Sequence, residues 1–534
     1  MQEIAWHSPT AQYGASHVPC SGSSRKSVYP QTMASDPSGS PETLPNADDA
    51  FSDLEMPDMT PKGLMGHFGP GLILMMTGIG TSHLVTAPAA GGRFGYALLW
   101  CIPVAYIFKY YGFEMAFRFT NATGKSMIEA YSTAWKKWPL WYVLITTLIQ
   151  CAVGQAGRLI AAAAVMYYVG YEVMGLPIEL WMYGLFLAVV SVAIILRGRY
   201  KVVEIATKIL AAILVFSVLA VYFRTPAPIS EMGNFFIVQI PDGSWLIIAA
   251  FLGLLPTGMD VSLQASEWGK AKKKGMSKIR DRMEDMGLAN RFDPFNPNRE
   301  DLSVDTSKLP ANAQEYCQKW FKIGTWDFRA GHVISFVLAC IFLLLAAMWL
   351  FPSPVEGNDV MGEIAGIFTE SLGQGWMWVF MLGAFAATFS TAFNYFDGWP
   401  RIVGACSRNL FRGTAELSGI GREDLTPAHR GTWYSEYNIY RATMLYSLVA
   451  SVAFVAVLER PVFLVLVASA LAAFVAPVIF FLNFYYCLVI IPKQDRAFYP
   501  SMFARWFGWI SLVVFTGMTL VLIYWRIWVR YFVE

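Results

Sequence analysis

The stretch Gly69 to Tyr96 reads GPGLILMMTGIGTSHLVTAPAAGGRFGY and is apolar enough to enter a lipid bilayer. Its middle, from Thr77 to His83, is rich in Gly, Thr and Ser, and Gly and Ser are poor helix formers. At membrane depth, irregular backbone is tolerated only where it is buried in protein or lines a watery cavity. The pattern therefore predicts a membrane helix that is interrupted near its centre.

A second stretch has the same design. Leu246 to Gln264 reads LIIAAFLGLLPTGMDVSLQ and carries Pro256, Gly258 and Asp260 at its centre. Two interrupted membrane helices in corresponding positions are typical of the binding site in transporters built from inverted repeats. We therefore predict a substrate site where the two interruptions face each other.

The composition is that of a polytopic membrane protein. Of the 534 residues, 55% are hydrophobic and only 15% are charged, whereas a soluble domain has about 25% charged residues. The seven cysteines are scattered without a CxxC motif, and six histidines are too few for a His-rich metal site. No nucleotide-binding loop, catalytic triad or metal-hydrolase motif is present in the sequence. We expect neither an enzyme, nor a resident cofactor, nor a nucleic-acid partner.

The apolar runs predict an all-α integral membrane protein, since each is about 20 residues long and can span a bilayer. An excess of Lys and Arg in alternate loops places the N-terminus in the cytoplasm and the C-terminus outside. We expect the plasma membrane, or the inner membrane if the source is bacterial. Eleven spans are predicted, at about 69–90, 95–117, 139–168, 176–196, 203–223, 245–264, 331–351, 376–400, 438–458, 461–491 and 507–527.

Two polar regions flank these spans. Residues 1–66 are rich in Ser, Pro, Asp and Gly and are predicted to form a disordered cytoplasmic tail, which leaves a transporter domain at 67–530. The cytoplasmic loop 268–330 begins with a basic run that includes Lys270 and Lys274. This loop is either a solvated linker or a regulatory or lipid-headgroup contact.

Asp260 is the central candidate ligand. Thr257, Asp260 and Gln264 fall on one stripe of the half-helix that follows Pro256. A carboxylate at this depth is costly unless it is paired or hydrated. Asp260 therefore either faces a water-filled cavity and draws cations, or pairs with a basic side chain such as Lys109, Arg158 or Lys208.

His83 is the second candidate ligand. A neutral imidazole suits zinc, copper and iron, and it could also relay a proton, although a lone membrane histidine is often a hydrogen-bonded packing residue. The backbone at Thr77, Gly78 and Gly80 completes the predicted substrate site, because unwound carbonyls coordinate cations in this architecture.

The eighth span ends TFSTAFNYFDGWPR, and Ser390, Asn394 and Asp397 share one helical face. With Gln264 they could form a polar path for the ion. Alternatively they make interhelical hydrogen bonds, with Asp397 paired to Arg401.

Gly69 to Tyr96 resembles the first membrane helix of the Nramp divalent-metal transporters. The match runs without gaps from GPG at 69–71 to FGYALLW at 94–100, and LLP at 254–256 resembles the start of that family's broken sixth helix. The resemblance implies a LeuT-type fold of two inverted five-helix repeats, with helices 1 and 6 broken.

The departures from the family pattern concern the metal ligands. The family's Asp-Pro-Gly-Asn falls on Gly80 to His83, its metal-binding Met on Leu255 and the His after the Pro on Thr257. The third-helix acids of its proton path fall on Gly154 and Gly157. The resemblance thus implies a divergent branch with an altered ion site.

We therefore expect alternating-access transport of a magnesium- or manganese-like divalent cation with weak or absent proton coupling. A magnesium-like ion keeps most of its waters and needs only one or two carboxylates, of which Asp260 could be one. Two alternatives stay open. One is transport of an amino acid or another small organic solute, and the other is a non-transporting membrane sensor that signals through the 268–330 loop.

Overall fold

The computed structural model describes residues 51–67, 79–197, 200–353, 360–418, 432–458 and 460–524. Within these ranges the chain is all-helical, as expected. The α-helices are α1 Pro61–His67, α2 Ala87–Phe94, α3 Cys101–Thr123, α4 Met127–Tyr131, α5 Trp138–Ile149, α6 Gln155–Tyr167, α7 Leu180–Leu196, α8 Tyr200–Arg224, α9 Trp245–Leu254, α10 Val261–Ala271, α11 Met276–Asp285, α12 Ala311–Trp349, α13 Val360–Leu372, α14 Trp376–Leu410, α15 Arg412–Ser418, α16 Glu436–Leu458, α17 Pro461–Ile490 and α18 Met502–Ile523.

Several helices depart locally from α geometry. The π-helical segments are Ile79–Thr86, Gln150–Gly154 and Tyr168–Val173. Short 3₁₀ turns occupy Trp135–Lys137, Ile229–Phe235, Arg299–Leu302 and Thr306–Lys308.

The described part of the chain contains six helical stretches that are long and apolar enough to cross a membrane. Their apolar character agrees with a multi-pass membrane protein, while the count of eleven spans and the inverted repeat stay predictions. The six are Trp135–Val173, Ala311–Trp349, Trp376–Leu410, Glu436–Leu458, Pro461–Ile490 and Met502–Ile523.

The predicted second interruption is present. Helix α9 ends at Leu254, α10 begins at Val261, and the six residues between them are not helical. Pro256 lacks a backbone N–H, and the residue before a proline is pushed towards extended conformations. Leu255 accordingly has φ −89° and ψ 131°. The presence of proline at position 256 is therefore sufficient to end α9 at this point.

The first predicted interruption falls partly outside the described residues, which resume at residue 79. There the chain forms the π-helix Ile79–Thr86 and continues as α2. A π-helical segment is rare and is frequently found at functional sites. The described half of the first span is therefore helical, but with a wider turn than a regular α-helix.

The buried core surrounds the π-helix Ile79–Thr86 and the break between α9 and α10. Helix α9 packs against α17, α2 packs against α12, and the π-helix Ile79–Thr86 packs against α14. In α6 the four residues Ala161 to Ala164 are fully buried, and small residues of this kind let membrane helices approach closely. The break between α9 and α10 therefore lies inside protein and does not face lipid.

The loop predicted at 268–330 is more ordered than a solvated linker. Arg280 of α11 is 1% exposed and donates to the backbone carbonyls of Asn290 and Asp301. Helix α12 begins at Ala311, so the last part of the predicted loop is continuous with the seventh span.

Residues 51–67 lie against this loop. Phe51 is fully buried, its carbonyl accepts a hydrogen bond from Asn312, and Asp53 forms an ion pair with Arg282. The expectation of disorder through residue 66 therefore does not hold for the part of the tail that the structure describes.

Candidate functional site

The break between α9 and α10 carries three kinds of polar group: the carbonyls of the non-helical backbone, the Thr257 hydroxyl and the Asp260 carboxylate. Asp260 is 8% exposed and Thr257 is 1% exposed. The Thr257 hydroxyl lies 3.1 Å from the Tyr395 hydroxyl of α14. This hydrogen bond therefore connects the break to the middle of α14.

The Asp260 carboxylate has a neutral partner and a cationic neighbour. Trp399 Nε1 donates a hydrogen bond of 2.7 Å to Asp260 Oδ2. The guanidinium carbon of Arg158, from α6, lies 3.7 Å from the ring centroid of Tyr395 and 4.7 Å from that of Trp399. Arg158 therefore stacks on the two aromatic rings that hold Asp260 and Thr257, and it supplies positive charge beside the carboxylate.

Arg158 is incompletely satisfied in this position. It is 2% exposed, and its Nη1 donates to the Gly154 carbonyl at 2.7 Å. Its Nε and Nη2 atoms are buried without a hydrogen-bond partner within the described residues. A buried polar group without a partner carries a desolvation cost of about 1–3 kcal/mol, so these two donors are available to a bound group.

Lys109 of α3 occupies the other side of the break. Its ammonium donates to the carbonyl oxygens of Gly253, Leu255 and Thr257 at 2.9, 2.8 and 2.8 Å. The side chain is fully buried, and Asp260 is close enough to interact with it electrostatically. The structure therefore places two basic residues, Lys109 and Arg158, around one carboxylate.

The π-helical stretch contributes close packing at Gly80. A Cβ at this position would collide with Thr391 Oγ1 and would lie 2.5 Å from the Ala387 carbonyl oxygen of α14. Glycine is required because α14 passes directly against the backbone here. Thr77 and Gly78, the other predicted backbone ligands, lie outside the described residues.

His83 is held by hydrogen bonds from two helices. Its Nε2 lies 2.8 Å from the Ser335 carbonyl of α12 and 3.0 Å from the Tyr106 hydroxyl of α3. Its Nδ1 lies 2.9 Å from the Ser82 hydroxyl. Because a carbonyl only accepts, Nε2 carries the proton, and Nδ1 accepts from Ser82. These contacts link His83 to α3 and α12, and its predicted role as a metal ligand stays a prediction.

The predicted polar path contains one firmly paired carboxylate. Asp397 accepts hydrogen bonds from Arg401 Nε at 2.7 Å and from the Tyr440 hydroxyl at 2.6 Å. The expected pairing of Asp397 with Arg401 is therefore present. Ser390 donates to the Ala387 carbonyl of its own helix, and Asn394 is half-buried in the same helix.

Gln264 lies on α10, four residues after Asp260. It is 2% exposed, and a Cβ on Gly398 would collide with its side-chain oxygen. Its Nε2 has no hydrogen-bond partner within the described residues. Gln264 and Asp260 therefore both contact the glycine-tryptophan step of α14 at Gly398 and Trp399.

No group of three or more His, Cys, Asp or Glu side chains that could hold a metal ion occurs in the described part of the chain.

Three residues of this site carried little weight in the sequence. Lys109 stood out only as a lone cation in an apolar span, a feature that marks an intramembrane ionisable group as functional. Trp399 and Tyr395 are four residues apart on α14, which places them on one face. Neither pattern shows that both rings would meet Asp260 and Arg158, because those residues lie on other helices.

The sequence profile of the family described as natural resistance-associated macrophage protein-like (Nramp) matches residues 71–525 of this chain. The chain belongs to the Nramp family. An uncharacterised protein of Pasteurella multocida is 20% identical over 467 residues, which cover 85% of this chain and 91% of that protein. The divalent metal cation transporter MntH of Brucella suis is 29% identical over 141 residues, which cover 26% of this chain and 28% of that protein.

Solved structures agree with this membership at the level of the fold. A crystal structure of a mutant of the manganese transporter of Eremococcus coleocola superimposes with a TM-score of 0.58 and 13% sequence identity. The superposition covers 90% of this chain and 91% of that chain. The Nramp fold is therefore retained at low sequence identity, and this Nramp chain is a multi-pass membrane transporter.

The positions that depart from the Nramp pattern can now be located. Gly157 packs directly on α17, since a Cβ there would lie 2.7 Å from Ala468 Cβ. A Cβ at Gly154 would lie 3.1 Å from Arg158 Nη1 and 2.8 Å from the Trp399 ring. Leu255, at the position of the family's methionine, is fully buried. The space beside Gly154 is thus taken by a basic and an aromatic side chain.

Proposed function

We propose that this Nramp chain transports a hydrated divalent metal cation by alternating access, with Asp260 as its principal protein ligand and with weak or absent proton coupling. The observation that carries the proposal is the buried Asp260 carboxylate at a helix break within an Nramp fold. A carboxylate at membrane depth, next to unwound backbone, is the arrangement expected where a carrier binds a cation.

The basic residues around Asp260 favour a hydrated ion over a dehydrated one. Lys109 and Arg158 both lie near the carboxylate, and a cation brought close to them is repelled more strongly in a medium of low dielectric constant. An ion that keeps its water shell stays farther from both charges. Magnesium dehydrates reluctantly and usually keeps several waters, so we propose magnesium as the preferred substrate and manganese as a weaker one.

Weak proton coupling is supported by the same region. Gly154 and Gly157 stand where the resemblance places the proton-path acids, and neither can titrate. Arg158, which lies beside Gly154, carries a basic guanidinium group. A proton carried past a fixed positive charge meets electrostatic repulsion, so we expect the metal to move without one.

Metal uptake into proteoliposomes tests the proposal. Asp260→Asn removes one negative charge and should lower kcat/KM for magnesium by about tenfold or more, where tenfold corresponds to ~1.4 kcal/mol. Asp242→Asn is the matched control, because Asp242 is exposed in the loop that precedes α9. Unchanged uptake of every divalent ion tried by the Asp260 variant would remove the proposal.

A pH-sensitive dye inside the same vesicles tests the coupling. We expect magnesium uptake without acidification of the lumen. Strong acidification during uptake would contradict weak coupling and would assign the proton to a titratable group such as His83 or Asp260.

One observation favours a second candidate, a small zwitterionic solute such as an amino acid. The two unpartnered nitrogens of Arg158 could bind a carboxylate while Asp260 faces an ammonium group, since planar guanidinium groups bind carboxylates well. Thermal unfolding with magnesium, manganese or amino acids separates the candidates. Stabilisation by amino acids that disappears in Arg158→Gln, together with no response to either metal, would favour the zwitterion.

A further inference from the structure

The ammonium group of Lys109 donates all of its hydrogen bonds to backbone carbonyls of the broken helix. An ammonium group has three N–H donors, and Lys109 uses one for each of the carbonyls of Gly253, Leu255 and Thr257, at 2.8–2.9 Å. We call these three carbonyls the carbonyl cradle. They belong to alternate residues at the end of α9 and in the non-helical segment.

The carbonyls are open to a side-chain donor because the helix ends here. The last carbonyls of a helix have no intrahelical partner, and Pro256 offers no N–H in return. Buried carbonyls without a partner are costly. Converging backbone carbonyls are also what potassium channels use to replace the hydration shell of an ion. The cradle therefore has the chemistry of a monovalent-cation site.

Two aromatic rings also lie near the ammonium. The ring centroids of Phe113 and Phe515 lie 5.8 and 5.9 Å from the Lys109 nitrogen, and both rings are buried. Aromatic faces at this distance attract a cation. Asp260 contributes attraction from nearby, but the three donors go to carbonyls. The ammonium is therefore held as an ion in a carbonyl site.

Close packing fixes the cradle in place. A Cβ on Gly253 would collide with the carbonyl oxygen of Ser469 on α17. Helix α9 thus packs closely against α17. Lys109, a residue of α3, donates hydrogen bonds to the carbonyls at the end of α9. The position of the Gly253 carbonyl is therefore set by helix packing as well as by Lys109.

We propose that the carbonyl cradle is a monovalent-cation site that the ammonium of Lys109 fills from within the chain. The break is then held open without bound sodium or potassium, and the folded state of the wild-type protein does not depend on either ion. A vacated cradle should accept a free cation of similar size, such as potassium, ammonium or methylammonium. This inference concerns the stability of the break and does not depend on which substrate is carried.

The experiment measures thermal unfolding of purified protein in detergent, without divalent metal or amino acid. Lys109→Ala is compared with wild type in the chloride salts of choline, potassium, ammonium and methylammonium. Choline is too large for the cradle and serves as the reference salt. Lys109→Met fills the space without donating a hydrogen bond, and Lys137→Ala removes an ammonium that donates to the backbone carbonyl of Asn409.

We expect the wild-type midpoint to be equal in all four salts. In choline chloride the midpoint of Lys109→Ala should fall by about 5 °C or more. At least one small cation should restore half of that loss or more, with a shift that grows as the logarithm of concentration once the site is nearly saturated. Lys109→Met should stay low in every salt, and Lys137→Ala should show no difference between salts.

Equal midpoints of Lys109→Ala in all four salts would overturn the proposal, as would an equal rescue of Lys109→Met or Lys137→Ala. A Lys109→Ala protein that fails to fold even in potassium or ammonium buffer also overturns it, because a cation site should accept its ion. None of these outcomes bears on divalent-metal transport, which the uptake assays test separately.

Discussion

The indole of Trp399 connects the Asp260 carboxylate at the helix break to a buried guanidinium. Its Nε1 atom donates to Asp260 Oδ2 at 2.7 Å, and Arg158 lies over its ring at 4.7 Å from the centroid. Three helices, α6, α10 and α14, meet through this one side chain. A change in the position of α14 would therefore alter the contacts of both the Asp260 carboxylate and the Arg158 guanidinium.

Trp399→Phe should weaken substrate binding without abolishing it. The variant keeps an aromatic ring under Arg158 but removes the donor to Asp260, and a hydrogen bond to a charged group contributes about 1.5–3 kcal/mol. We expect the KM for the transported ion to rise by about tenfold if half of that energy orients the carboxylate. Trp378→Phe is the control, since Trp378 is on the same helix and 47% exposed. Equal KM values for the two variants would contradict the orienting role of Trp399.

Gly80→Ala should destabilise the protein, because the new methyl group would meet Thr391 and the Ala387 carbonyl. Overpacking of this kind costs about 1–3 kcal/mol. Gly517→Ala is the matched control, since nothing lies within 4 Å of a Cβ there, and it should be neutral or slightly stabilising. Thermal unfolding compares the two. A Gly80→Ala protein as stable as wild type would mean that α14 can move away from the π-helix.

His83→Leu should lower stability more than it alters ion preference. The variant removes the hydrogen bonds of the imidazole to the Ser335 carbonyl and the Ser82 hydroxyl, at about 0.5–1.5 kcal/mol for each bond lost. His83→Gln retains a donor and an acceptor and should recover part of the loss. Uptake of magnesium and manganese should fall in the same proportion in both variants. A selective loss of one metal would instead support His83 as a ligand.

Glu129 of α4 should make the stability of the folded protein sensitive to acid. Burial raises the pKa of Glu129, but the positive charges of Lys270, Lys125 and Arg408 together lower it by more than burial raises it. The pKa therefore falls from 4.5 to about 2. A depressed carboxyl pKa stabilises the folded state above pH 4.5, and this contribution is lost as the pH falls through about 2.

Thermal unfolding of Glu129→Gln against wild type measures this contribution. The variant should be less stable by on the order of 2–3 kcal/mol at neutral pH, with the gap closing between about pH 4.5 and pH 2. Glu315→Gln is the control, because the Glu315 carboxylate is 58% exposed in its pair with Lys319, and exposed pairs contribute about 0–1 kcal/mol. A gap that is independent of pH would exclude ionisation of Glu129 as the cause.

The sequence by itself determined the membrane character and the position of the helix break. Runs of apolar residues must be shielded from water, and Pro256 cannot continue a hydrogen-bonded helix. These effects act within one segment, so they can be read along the chain. For the same reason the pairing of Asp397 with Arg401, one helical turn apart, could be expected from their spacing.

Only the tertiary structure decided what surrounds Asp260. Lys109, Arg158 and Trp399 come from three different helices, and no local pattern states which faces of those helices meet. Lys109 could have paired with the carboxylate, yet helix packing directs its ammonium to the three carbonyls of the cradle, and Arg158 stacks on aromatic rings. The charge around the site is therefore a property of the packed bundle, because electrostatic and hydrogen-bond partners are fixed by distances in space and not by separation along the chain.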